Sequence, residues 1–301
     1  MIFYILAIGE IQNNFGKLLF VLVISRKLKH WHVKCLSIAI NTFFNNLKGD
    51  IIMTKKFIRL LSVCALIVYG SSANALLVLS GDGNITTNLG VVAGNDTFFT
   101  NVLQGGSSVT IHEGHQGGGT SLFAENIDNF YNSLSGVSSS IVTSGTTITD
   151  ASLAGSDMFI SVLPENNYLA SELSAMSSFL TGGGSIFFLG ENGGFDVYNS
   201  IINDSLLGLG SSMSILLGTT FDGGFHLATG SQIATDPLTA GVTEFSYAAP
   251  NEVSINGGTS LFFGTQGQAF VSYESASVPE PSIIALLSLG LVGIGFARRK
   301  A

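Results

Sequence analysis

The chain has 301 residues, a formal net charge of −8 and a mean hydropathy of +0.47. Every Lys and Arg lies before Leu60 or after Ala297, whereas every acidic residue except Glu10, Asp50 and Glu280 lies between Asp82 and Glu274. A middle with carboxylates and no bases repels phosphate backbones and anionic headgroups, which excludes nucleic-acid binding and leaves divalent cations or neutral glycans as contacts.

Residues 1–52 hold apolar runs, a basic cluster over 26–34 and no clear period. The apolar run 18–24 is too short to span a bilayer. Residues 53–75 read as a secretory signal peptide, with basic Lys55, Lys56 and Arg59, an apolar stretch over 60–69, and Ala73-Asn74-Ala75 as the cleavage site. A signal peptide belongs at a chain terminus, so two readings stay open. Translation starts at Met53 and 1–52 is an upstream extension outside the protein, or 1–52 is a genuine segment whose run 18–24 helps to anchor the chain. Cys64 is not a lipoprotein cysteine, because Val63 stands where a small residue is needed.

The exported domain then covers 76–274, long enough for one domain with a sizeable core. Cys35, Cys64 and Trp31 all precede it, so it has no disulfide and no thiol nucleophile, and it must pack on aliphatic and phenylalanine side chains. Residues 76–80 predict a strand ending in Gly81-Asp82-Gly83-Asn84. Asp96 predicts the cap of a short helix over 97–104. A strand over 108–112 and a helix over 121–134 follow, the latter from Leu122, Ile127, Phe130, Tyr131 and Leu134 at helical spacing. Further strands are expected over 139–143 and 157–163. A helix over 168–180 presents Leu169, Leu173, Met176 and Leu180 and stops at three glycines. Residues 185–189 form a near-continuous apolar run, as a strand covered on both faces requires. A helix over 197–209, a strand over 213–217 and short β segments over 252–255, 260–263 and 269–273 complete the domain. Strands alternating with helices predict an α/β fold with a doubly wound, mostly parallel sheet and antiparallel additions at the C-terminal end.

Residues 275–281 are a linker ending in Val278-Pro279-Glu280-Pro281. The two prolines fix φ and remove two donors, so the tetrapeptide is extended. Residues 282–297 carry no charge and predict a C-terminal transmembrane helix. At ~1.5 Å per residue it is somewhat shorter than the ~30 Å hydrocarbon core, a gap that snorkelling and bilayer thinning can close. Arg298, Arg299 and Lys300, in the last segment 298–301, make a cytoplasmic stop. This tail resembles the PEP-CTERM sorting signal of exported Gram-negative proteins. The resemblance implies an exosortase as partner, an anchored passage through the membrane, and a cell-surface or extracellular-matrix destination alongside exopolysaccharide.

The unit 157–191 resembles the class I glutamine-amidotransferase-like sandwich, a flavodoxin-like arrangement, and Asp236-Pro237-Leu238-Thr239-Ala240-Gly241-Val242 is similar to a segment late in that fold. Enzymes of that family keep a cysteine nucleophile in the turn after the buried strand. Here the turn is Gly190-Glu191-Asn192, which excludes thiol chemistry.

Ligands of open α/β sheets gather beyond the carboxyl ends of the strands. Asp82, Glu165, Glu191 and Asp196 are expected there, with His226 from a Gly-rich stretch joining them. Glu165 or Glu191 with His226 are the catalytic candidates, since a carboxylate and an imidazole can share acid–base work. Asp82 and Asp196 are ligand-binding candidates. His112 and His115 have a two-ligand metal spacing, without the second pair that a zinc site needs; loop histidines without metal are the simpler reading. The turn at Asp82 has part of a calcium loop and lacks its terminal glutamate, so calcium is the one cofactor left open. No G-x-G-x-x-G opens a helix and no lysine is available, which argues against nucleotides. Two functions compete: a non-catalytic surface domain serving structure or ligand binding, and a secreted glycan hydrolase or lyase.

Overall fold

The computed structural model describes residues 3–13, 16–25, 75–118, 120–254 and 256–276. The chain divides into two compact units, Met1–Tyr69 and Gly70–Ala301. In the first, β1 (Phe3–Asn13) and β2 (Gly16–Ser25) pair as an antiparallel hairpin with a bulge between Ile5 and Ala7. Ile8, Phe20, Val21 and Val23 suit extended backbone, a strand preference hidden beneath the absent period. Ala73, the signal-peptide core, the sorting tetrapeptide and residues 282–301 lie outside the described residues.

The second unit is an α/β domain. Its strands are β3 (Ala75–Ser80), β4 (Ser108–His112), β5 (Ser138–Val142), β6 (Met158–Val162), β7 (Ser185–Leu189), β8 (Ser214–Ile215), β9 (Phe225–Thr229), β10 (Glu244–Ala248), β11 (Val253–Ser254), β12 (Thr259–Phe263) and β13 (Ala269–Ala276). Its helices are α1 (Ala93–Val102), α2 (Phe123–Ser133), α3 (Asp150–Leu153), α4 (Ala170–Thr181) and α5 (Asp196–Gly208). Seven strands form one sheet in the order β12-β13-β3-β7-β6-β4-β5. The five from β3 to β5 are parallel, and β13 and β12 extend the β3 edge antiparallel, as expected for the C-terminal additions.

Strand alternation sorts the core into two layers. Leu76 and Val78, Val109 and Ile111, Met158 and Ile160, and Phe187 and Leu189 point to the layer that holds α1 and α2. Leu77, Leu79, Phe159, Ile186 and Phe188 point to the layer that holds Met176 and Leu180 of α4 and Ile202 and Leu206 of α5. Both faces of β7 are buried, which explains its unbroken apolar run. With no tryptophan available, phenylalanines fill the first layer. Phe98 meets Phe99, Phe187, Phe245 and Phe262 edge-on at centroid distances of 5.0–6.2 Å.

The four long helices each carry an acid in the first turn (Asp96, Glu125, Glu172 and Asp196) and no base in the last. Negative charge there complements the positive end of the helix dipole. Since each helix follows a parallel strand, these acids collect at the carboxyl ends of the strands.

Two local expectations change. Asp96 does not cap α1: the helix starts earlier, at Ala93, and the Asp96 carboxylate turns back to accept the Gly90 amide at 2.7 Å. Leu169 precedes α4 and is exposed rather than part of its apolar face. The sequence reading also overlooks the β9–β10 hairpin, whose outward Phe225 and Leu227 break the usual apolar-in pattern. Among the described residues no helix is long and apolar enough to cross a membrane.

Candidate functional site

The ends of β3 and β7 bring Asp82 and Glu191 together beneath the surface, 0 % and 1 % exposed. Two glycines permit this approach. A Cβ on Gly83 would lie 2.4 Å from the Phe123 ring and 3.1 Å from Glu191 Oε2, and one on Gly81 would lie 2.2 Å from the Asn251 carbonyl oxygen. The Asp82 carboxylate accepts the amides of Asn84 at 2.8 Å and Ala248 at 2.7 Å. Glu191 accepts the Gly83 amide at 3.1 Å, both oxygens accept the Asn84 side-chain amide at 2.9 Å, and Oε1 accepts the Asn192 amide and side chain at 3.1 and 2.7 Å. Asn199 grips the same turn from α5, accepting the Glu191 amide and donating to its carbonyl.

Among the described residues of this domain no Lys or Arg faces the pair, because the sequence from Leu60 to Ala297 contains neither. Burial pushes Asp82 well above the usual carboxylate range and the neighbouring Glu191 adds to the rise, against the pull of the Ala248 and Asn84 amides. Burial likewise pushes Glu191 up to about 7, against the hydrogen bonds from Asn192, Gly83 and Asn84. The pair therefore gives up its protons less readily than exposed carboxyls do, and its hydrogen bonds make it a clasp that ties β3, β7 and the end of β10 together.

Asp196 is linked to this clasp through asparagines. Its Oδ1 accepts Asn251 at 2.9 Å and Asn199 at 3.3 Å. Glu165 is not part of it. It stands after β6, where its Oε1 lies 3.6 Å from His115 Nδ1 and its Oε2 accepts the Ser144 hydroxyl at 2.8 Å. The His115 ring stacks on Tyr198 at 4.5 Å, with Phe195 alongside. Backbone crowding fixes this corner. Leu163 sits at φ +42°, a left-handed conformation unusual for a bulky side chain, and its carbonyl accepts the His115 amide. Gly114 is required beside it, because a Cβ there would lie 2.0 Å from that carbonyl oxygen.

Among the described residues no hydrogen bond or ion pair joins His226 to Glu165 or Glu191. His226 lies on the β9 hairpin, stacks on Tyr247 at 5.6 Å and bonds the Gly223 carbonyl, while Glu165 and Glu191 engage separate sets of partners. Glu165 follows β6 and Glu191 follows β7, whereas His226 lies within β9 of a separate two-stranded sheet. His112 and His115 also part, because His112 is the last residue of β4 and His115 lies in the loop beyond it. His112 is buried in the second layer, with Nδ1 2.7 Å from the Tyr168 hydroxyl, which in turn meets Ser161 at 2.9 Å. Burial lowers its pKa, against the opposing pull of Glu172. Among the described residues no three His, Cys, Asp or Glu side chains are grouped to hold a metal ion.

Sequence reasoning missed the asparagines Asn84, Asn192, Asn199 and Asn251, which satisfy the buried acids. Their signal was present: a domain without cations must supply its buried carboxylates with amide donors. The Asp236-Pro237-Leu238-Thr239 stretch proves to be a capping box around a 3-10 turn, with Tyr273 donating to Asp236 at 2.9 Å.

Residues 277–300 match the family model of the PEP-CTERM protein-sorting motif. The match takes in Val278-Pro279-Glu280-Pro281 and the basic end, so the chain carries the signal of an exported, exosortase-sorted protein of Gram-negative bacteria. None of the curated proteins matches the chain. Among solved structures, the mmIFT52 N-terminal domain is similar at 14% identity and a TM-score of 0.40, over 53% of this chain and 81% of that one.

Proposed function

We propose that this is a cell-surface or extracellular-matrix protein, held at the membrane by residues 282–297 until an exosortase acts on its tail, whose amidotransferase-like domain is non-catalytic and serves structure or ligand binding. The sorting motif supports the delivery. The observation that carries the non-catalytic reading is the state of Glu191. Both of its oxygens are consumed by amide donors and it is 1 % exposed, so the one acid in the turn where the resembled enzymes keep a nucleophile cannot reach a substrate.

Export in an unfolded state fits this reading. The expected cleavage site ends at Ala75, which is fully buried and paired with Ala276, and the Leu76 amide donates to Ser185 Oγ at 3.2 Å. A peptidase needs that backbone extended and free, so cleavage after Ala75 precedes folding.

Expression in an exosortase-bearing Gram-negative host tests the proposal. The full chain should be processed and leave the inner-membrane fraction, whereas a chain with Pro279→Ala and Pro281→Ala should remain there uncut. Equal processing of both, or glycan cleavage by the purified chain that Glu191→Gln abolishes, would overturn it.

A further inference from the structure

The register of the last strand places the chain's exit at one pole of the domain. β13 runs antiparallel to β3 with Ala276 opposite Ala75, so the chain leaves at the amino ends of the parallel strands. Residues 277–281 then separate the fold from the uncharged stretch that begins at Ser282. Fully extended at ~3.5 Å per residue, that tether reaches at most ~18 Å. A domain of this size has a diameter of about 40 Å from the usual scaling of radius of gyration with length. The tether is thus too short to run along the domain and let the opposite pole touch the bilayer.

The charge distribution points the same way. The first-turn acids Asp96, Glu125 and Asp196, together with Glu113 and Glu165 in the loops after β4 and β6, crowd the carboxyl-end pole. The opposite loops 104–107, 134–137, 155–157 and 182–184 are rich in glycine and contain a single acid, Asp157. Its carboxylate is taken up by the amides of Ser107 and Ser108. Glu274, near this end on β13, faces Ser212. Anionic headgroups repel uncompensated carboxylates within about a Debye length, roughly 8 Å at physiological salt. They repel the glycine-rich pole far less.

Resting on the membrane-anchor reading of residues 282–297, we propose that the domain faces the membrane with its glycine-rich, amino-end pole, where the chain exits, and holds its acidic, carboxyl-end pole away from it. The His115–Glu165 corner then faces the medium, and the clasp of Asp82 and Glu191 lies buried beneath the outward pole.

The test uses the full chain with Cys35→Ser and Cys64→Ser, reconstituted in vesicles of phosphatidylethanolamine and phosphatidylglycerol. Single cysteines at the exposed positions Ser135 and Thr181 report the amino-end pole, and at Gln116 and Asn166 the carboxyl-end pole. Each is labelled with a fluorophore and quenched by a headgroup-attached nitroxide lipid. Quenching at Ser135→Cys and Thr181→Cys should exceed that at Gln116→Cys and Asn166→Cys several-fold. If the chain floats with the vesicles and both poles quench alike, or the acidic pole quenches more, the orientation is overturned while the anchor stands. If the chain does not float with the vesicles, the anchor reading fails and the orientation with it.

Discussion

Raising the pH from about 6 to about 9 should loosen the α/β domain, with the Asp82–Glu191 clasp as the cause. The folded state holds protons that the unfolded chain releases, because both carboxyls have raised pKa values when buried. A raised carboxyl gives its full stabilisation below the ordinary carboxylate range and loses it as pH climbs through the folded value. For Glu191 the interval runs from 4.5 to about 7. At about 1.4 kcal/mol per pH unit the whole interval is worth about 3 kcal/mol, of which the last unit, from about pH 6 to 7, contributes about 1.4 kcal/mol, and Asp82 adds in the same direction. Other shifted groups act elsewhere. His112, lowered from 6.5, weakens the fold only as pH falls below that value, and Tyr131, Tyr168, Tyr247 and Tyr273 are raised from 10.0. Urea unfolding followed by circular dichroism should show stability falling by at least about 1 kcal/mol between about pH 6 and 9. Glu191→Gln removes one of the two titrating groups. The new amide faces the Gly83 and Asn84 donors and lowers stability at every pH, but the slope should become shallower, with Asp82 alone of the pair still titrating. A flat profile for the natural chain, or an unchanged slope in the variant, refutes the reasoning.

Phe98→Ala removes a ring that four other phenylalanines meet edge-on, and should cost about 3–5 kcal/mol in the same unfolding assay. Gly114→Ala forces a methyl group onto the Val162 and Leu163 carbonyls, so a loss of about 1–3 kcal/mol and a displaced His115 imidazole resonance are expected. Tyr168→Phe removes the partner of His112 Nδ1 while His112 Nε2 already lacks one, and should cost about 1–3 kcal/mol by thermal melting.

Several features were legible in the order of residues alone. The run Ser-Ile-Phe-Phe-Leu is β7 to the residue, because a strand covered on both faces has no polar side to interrupt it. The helix periods of α2 and α4 were readable because one apolar stripe per helix suffices to bury it. The sorting signal was readable because it lies within one contiguous stretch, residues 277–300, and draws on no residue from elsewhere in the chain. The absence of cations between Leu60 and Ala297 likewise belongs to composition and follows from no contact.

Only the tertiary structure decided which acids meet. Asp82 and Glu191 are far apart in the chain, and the β3–β7 pairing, set by two apolar layers, makes them neighbours. Glu165 looked equivalent in sequence, yet β6 carries it to a different corner with His115. The exit of β13 beside Ala75 is also a matter of register, since a local pattern specifies that a strand forms but not which edge it joins. Spacing along a chain constrains the nearest few residues, whereas proximity between strand ends depends on how the whole core packs.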